Sequence, residues 1–164
     1  MLFNDLHNIE EVILKNILIA SLLAFSSLAW SADSGPTQPS TKSVTEILLP
    51  ARNAVKAENY EKAIELLTEA DQKKSADWHN LMGYSLRKKA SPNLNEAEKY
   101  YISALNLDAN HRGALEYYGE LLLLKNDLTG AEKLLARLDK ACTFGCEEFR
   151  DLKKSIQQYK AKKP

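Results

Sequence analysis

The chain has 164 residues with 22 basic and 22 acidic side chains, enough for one domain with its own core but not comfortably for two. That balance excludes the strongly basic face a nucleic-acid binder needs, and it excludes an acidic disordered tail. Gly and Pro are scarce beyond residue 50, where Leu, Ala, Glu and Lys dominate, so composition predicts an all-α fold.

Between Lys15 and Asp33 the chain carries no charge, and this apolar run ends in small residues. A basic residue followed by such a run fits a secretory signal peptide. Cleavage requires small side chains at the last and third-last positions of the leader. Ala29 and Ser31 meet that requirement, whereas a cut after Ala32 places Trp30 in the wrong pocket. The run is at the short edge for a membrane span, which makes an uncleaved anchor the weaker alternative. Residues 1–32 are thus expected to be a leader, and the mature chain to be periplasmic with no membrane span. Asp5, Glu10 and Glu11 depart from the basic start of such leaders, so the expected translation start lies downstream, at Val12 or Leu14. Loss of the leader leaves 21 basic and 19 acidic residues. Residues 33–43, rich in Ser, Thr, Gly and Pro without apolar periodicity, read as a flexible linker.

An internal repeat follows. Ala63, Leu67, Ala70; Ala97, Tyr101, Ala104; and Ala131, Leu135, Leu138 share one spacing, and their anchors Ala63, Ala97 and Ala131 stand 34 residues apart. Offsets of four and three lie on one helix face, so each triplet is the buried stripe of a helix. Ala51, Gly83 and Gly119 precede the triplets at the centre of a second helix, where a small residue lets the paired helix approach. The middle repeat holds two additional residues, placed at Ser91-Pro92-Asn93 because Pro92 marks a turn. Asn59, Asn95 and Asp127 are the expected N-caps of the triplet helices.

The segment Asp77-Trp78 through Gly83-Tyr84, followed by Asn95 through Asp108, resembles a tetratricopeptide repeat (TPR). Gly119 through Leu138 resembles a further one, and Ile47 through Ala70 a degenerate first; Ala109 stands where the family usually has proline. The resemblance covers 44–141, divided as about 44–75, 76–109 and 112–141. It implies a right-handed α-solenoid of about three helix pairs, and it says little about function. Residues 142–164 are expected to form a capping helix and tail, with Phe149, Leu152, Ile156 and Tyr159 on its apolar side.

Cys142 and Cys146 flank Thr-Phe-Gly ahead of that helix, and the run through Glu147 and Glu148 resembles the tail of small exported bacterial TPR proteins. In an exported protein the simplest expectation is a disulfide, with Gly145 allowing the tight ring. Closing so small a loop contributes only ~2 kcal/mol, so its use is to fix the angle of the cap. A thiol-redox or metal-handling accessory role through Cys142 and Cys146 is the alternative. Three residues separate them where thioredoxin-like pairs have two, no His follows Cys146, and His79 and His111 are the only histidines of the mature chain.

In TPR arrays the first helix of each pair lines a concave groove that holds peptides. Carried over by helical spacing, the groove-facing residues are Arg52 and Lys56 in the first repeat. Asn80, Tyr84, Arg87 and Lys88 follow in the second, and Glu116, Tyr117 and Glu120 in the third. This distribution predicts a groove polarised from positive to negative, with an acidic or C-terminal part of the ligand near Arg52 and Arg87. The Lys, Asn and Arg set of the family's carboxylate-binding clamp is not present. Leu121 to Leu124 is too short to span a membrane and reads as a helix packed on both sides. The sequence carries no Ser-His-acid set, no metal-ligand spacing and no glycine-rich phosphate loop, so no enzyme, cofactor or metal is expected. The expected function is a non-catalytic scaffold for a protein or peptide partner, with self-association through a repeat edge as a further reading.

Overall fold

A computed structural model describes residues 42–162; the expected leader, its downstream start and most of the expected linker lie outside the described residues. Seven helices, and no strand, occupy the described residues: α1 (Val44–Lys56), α2 (Tyr60–Ala70), α3 (Ala76–Lys88), α4 (Leu94–Leu107), α5 (Arg112–Leu124), α6 (Leu128–Ala141) and α7 (Glu147–Lys162). The first six each start at a residue whose side chain accepts the backbone N–H three positions on, which satisfies a donor the helix leaves open. Ser43, Ser75 and His111 do this for α1, α3 and α5. Ser43 completes a capping box with Glu46.

Asn59, Asn93 and Asp127 cap α2, α4 and α6, again at 34-residue intervals. The cap expected at Asn95 is therefore Asn93, and Asn95 falls in the first turn of α4. Turn geometry explains the two additional residues of the middle repeat. In the outer two turns, Glu58 and Asn126 precede the cap with φ of 55° and 66°. The caps there donate five residues back, Asn59 to Ala54 and Asp127 to Leu122. Pro92 holds the corresponding place in the middle turn, and its ring forbids a positive φ. Asn93 accordingly donates seven residues back, to Leu86, through a longer turn.

The repeated triplets form the core. Ala63, Ala97 and Ala131 are fully buried, as are Leu67, Tyr101, Ala104 and Leu138, while Ala70 and Leu135 are half-buried. Trp78 seals the first interface among Leu48, Leu67 and Met82 and donates its indole N–H to the Leu67 carbonyl at 2.6 Å. A Cβ on Gly83 would stand 2.8 Å from the Tyr101 ring and 3.1 Å from the Ala97 carbonyl, so this glycine lets α3 and α4 approach as expected. Gly119 differs. Its Cβ would meet both Leu152 methyls at 2.6 Å, so the close approach is to α7 and not to the paired helix α6.

Each helix packs on its neighbours in sequence, and the odd-numbered helices also touch one another in turn, α1 on α3, α3 on α5 and α5 on α7. Among the described residues α2, α4 and α6 make no such mutual contacts. The array therefore curves, with the odd helices close together on its inner side and the even ones splayed on its outer side. This is an all-α solenoid of three helix pairs, and α7 takes the place that the first helix of a fourth pair would hold. Leu152 and Ile156 of α7 are buried, with Phe149 and Tyr159 half-buried beside them. The Cys142–Cys146 disulfide joins the end of α6 to the start of α7, with Gly145 at φ +80° inside the ring. No helix among the described residues is long and apolar enough to cross a membrane.

Candidate functional site

One carboxylate links the first three helices of the inner row. Asp77, in the first turn of α3, accepts a hydrogen bond from the Arg52 guanidinium of α1 at 2.8 Å. Its other oxygen accepts from His111 Nε2 at 2.9 Å. His111 also caps α5, with Nδ1 accepting the Ala114 N–H, so the ring proton resides on Nε2 and points at Asp77. Asp77 and His111 are 34 residues apart. Yet the link runs from the first turn of α3 to the N-cap of α5, so the two residues hold different places in their repeats.

A cleft of about 390 Å³ opens beside this link, between the inner helices and the start of α7. Its walls include Asn80, Gly113, Glu116, Tyr117 and Glu148. Asn80 is only 9% exposed and its Oδ1 has no hydrogen-bond partner. Gly113 leaves room for that amide, since a Cβ there would sit 3.1 Å from Asn80 Nδ2. Glu116 is 7% exposed and makes no hydrogen bond or ion pair among the described residues. Burial pushes its carboxyl up to about 8; Glu120, Asp151 and Glu148 push the same way, and Arg87 opposes them.

Tyr84 and Tyr117 meet in the middle of the row with ring centres 4.6 Å apart, and Tyr60 packs edge-on against Tyr84 at 6.1 Å. The Arg87 guanidinium lies 5.4 Å from the centre of the Tyr84 ring and 5.6 Å from that of Tyr117, and pairs with Glu120 at 2.9 Å. Its side chain is only 8% exposed. Burial raises the phenol of Tyr101, whose hydroxyl lies against the same guanidinium without a well-formed hydrogen bond. A second opening of about 360 Å³ lies beyond, between Arg87, Lys88, Glu120 and the Ser155 to Tyr159 stretch of α7. There the Ser155 hydroxyl donates to Glu120 at 3.2 Å.

Eight of the nine residues expected to face the groove line one of these two openings or the tyrosine stack between them. Lys56 is the exception: it lies exposed in the last turn of α1, outside both linings. The expected gradient of charge does not survive. Arg52 is already paired with Asp77 and Arg87 with Glu120, so neither presents an open positive charge. Lys56 and Lys88 are exposed and form no ion pair among the described residues, and the buried acid without a partner is Glu116. Spacing within single helices could not reveal this, because both pairs form across helices. Asp77, His111 and Glu148 were not expected from sequence to face the groove, because the contacts that bring them there run between helices and no repeat interval marks them.

The cysteine pair lies apart from this groove. Both cysteines are buried with Leu138, Leu152 and Ile156, while Phe144 at the tip of their loop is fully exposed. Among the described residues no cluster of three or more His, Cys, Asp or Glu is placed to hold a metal ion. His79 Nε2 meets the Lys73 carbonyl at 2.9 Å, and its ring packs against Trp78.

No protein-family model matches the chain, and no curated protein matches it. Among solved structures it is similar to the Yersinia enterocolitica type III secretion chaperone SycD in complex with a peptide of the translocator YopD. The TM-score is 0.61 at 18% identity, covering 76% of this chain and 98% of that one. A second structure of the translocator chaperone SycD, in an alternative dimer, also gives 0.61 at 18% identity, covering 74% and 96%. The likeness establishes an all-α helical-repeat fold that spans nearly the whole length of SycD.

Proposed function

We propose that this chain is a non-catalytic scaffold of the TPR type that holds an extended segment of a partner protein along α1, α3, α5 and α7. The observation that carries this reading is the cleft on the inner side. Two of its wall residues, Asn80 and Glu116, are buried polar groups without partners. Buried polar groups of folded proteins are nearly always hydrogen-bonded, so an unmatched pair facing one opening favours a ligand that completes it. The cluster of tilted tyrosine rings supplies an aromatic wall beside them, an arrangement suited to a peptide's side chains and backbone. The SycD structure, which holds a peptide of its translocator in a similar fold, supports the same reading.

Export to the periplasm belongs to this proposal and rests on the leader expected over 1–32 and on the disulfide. Burial of both sulfurs favours a structural staple over thiol chemistry, which needs an accessible thiolate. The test is cross-linking capture from the cell envelope with the wild-type chain and with Tyr84→Ser. A dominant partner recovered by the wild type and lost by the variant supports the groove. Equal recovery by both refutes it.

A further inference from the structure

The lining of the cleft near Glu116 is acidic in balance. Asp77, Asp108, Glu116 and Glu148 face two guanidiniums, Arg52 and Arg112. Arg52 is taken by Asp77, and Arg112 stands 3.7 Å from Glu148 at the rim. Glu116 is left without a counter-charge, deeper than any of these, with the unpartnered amide of Asn80 lining the same cleft. A carboxyl so placed has few stable options. It holds its proton, or it meets a cation brought from outside.

We infer that this cleft receives a cationic group of the bound segment, an ammonium or a guanidinium, with Glu116 as its ion-pair partner. The inference rests on the groove reading above and specifies its chemistry. It reverses the charge expected from sequence, where Arg52 and Arg87 were to meet an acidic ligand. An acidic group in the same place would add a further anion to Glu148, Asp151 and Glu120, and an apolar one would leave Glu116 unpaired. A cation relieves that repulsion and pairs the buried carboxylate, and charge-assisted hydrogen bonds of this kind are the stronger ones.

Binding of this kind is coupled to a proton. In the free protein burial, aided by Glu120 on its own helix and by Asp151 and Glu148 on α7 and opposed by Arg87 on α3, raises the Glu116 carboxyl to about 8 and so favours its protonated form near neutral pH. A cation that pairs with the carboxylate must displace that proton, so affinity rises with pH up to about 8 and then levels off.

The test uses four capped tripeptides as probes, titrated into the mature chain at pH 8.5 and followed by backbone NMR shifts at Gly113 and Glu116. They are Ac-Ala-Lys-Ala-NH2, Ac-Ala-Arg-Ala-NH2, the free-amine Ala-Ala-Ala-NH2, and Ac-Ala-norleucine-Ala-NH2 as neutral control. The expected result is binding of at least one cationic probe about tenfold tighter than the norleucine probe, lost in Glu116→Gln and weakened at pH 6. Which probe binds best separates a basic side chain from an amino terminus. Equal binding of the norleucine probe, no response to any probe, or unchanged binding in Glu116→Gln overturns the cationic reading. The groove reading is judged separately, by the Tyr84-dependent capture described above.

Discussion

The junction of Gly119 and Leu152 is where sequence periodicity and observed packing part company, and it yields a quantitative test. Leu152 is fully buried on α7, and Gly119 of α5 lies directly beneath it. Leu152→Ala removes three buried carbons and leaves a cavity, a loss of about 2–5 kcal/mol. Gly119→Ala gains about 1 kcal/mol of helix propensity but drives a methyl to within 2.6 Å of both Leu152 methyls, an overpacking cost of about 1–3 kcal/mol. The single change is thus neutral to destabilising. In the double variant the clash is gone and the new methyl partly fills the space Leu152 vacated. Gly119→Ala should then be stabilising, and the coupling between the two positions should reach about 2 kcal/mol. Urea denaturation of the four proteins, followed by circular dichroism with m-values compared, measures that cycle. Additivity within about 0.5 kcal/mol would refute the claim that α7 closes on Gly119. Gly83→Ala is the contrast, because its Cβ would also meet the Ala97 carbonyl at 3.1 Å, which trimming Tyr101 does not move.

Three further outcomes follow from the same contacts. Since the Glu116 carboxyl is raised to about 8 in the folded chain against 4.5 ordinarily, the native state keeps a proton that the unfolded chain gives up above 4.5. Stability contributed at low pH is therefore lost as pH rises from about 4.5 to 8, with a slope of at most about 1.4 kcal/mol per pH unit from this group, and Glu116→Gln should flatten that slope in urea melts across this range. Replacing Cys142 and Cys146 together by Ser should cost about 2 kcal/mol, and amide exchange should show fraying of α7 before the rest of the array. Trp78→Phe keeps an aromatic ring but removes the indole donor from the Leu67 carbonyl, which retains the Asp71 N–H, so the melting midpoint should fall by an amount equivalent to about 1 kcal/mol, read by thermal denaturation.

Much of the architecture was legible because a solenoid writes each structural role once per repeat. Ala63, Ala97 and Ala131 announced the buried stripe, and the two surplus residues around Pro92 announced the longer middle turn. The same interval would have placed the cap at Asn93, since Asn59 and Asp127 stand 34 residues to either side. What one helix at a time could not show was pairing between helices. Arg52 and Arg87 read as open charges until Asp77 and Glu120 were found opposite them. Glu116 read as one acid among several, although its neighbours across the cleft make it the unpaired one. Gly119 was assigned to the wrong partner because α7 lies outside the repeat, where periodicity has nothing to say about packing.

The most direct test of the central claim is position-specific photo-cross-linking in the cell that makes this protein. A benzophenone side chain is placed at Tyr84 or Tyr117 on the inner row, and at the exposed Ile102 of α4 or Leu107 at its end as outer controls. The account predicts one discrete cross-linked product from Tyr84 and Tyr117 and none of that mass from Ile102 or Leu107. The same product from all four positions, or from the outer pair alone, would contradict a partner held on the inner side of the array.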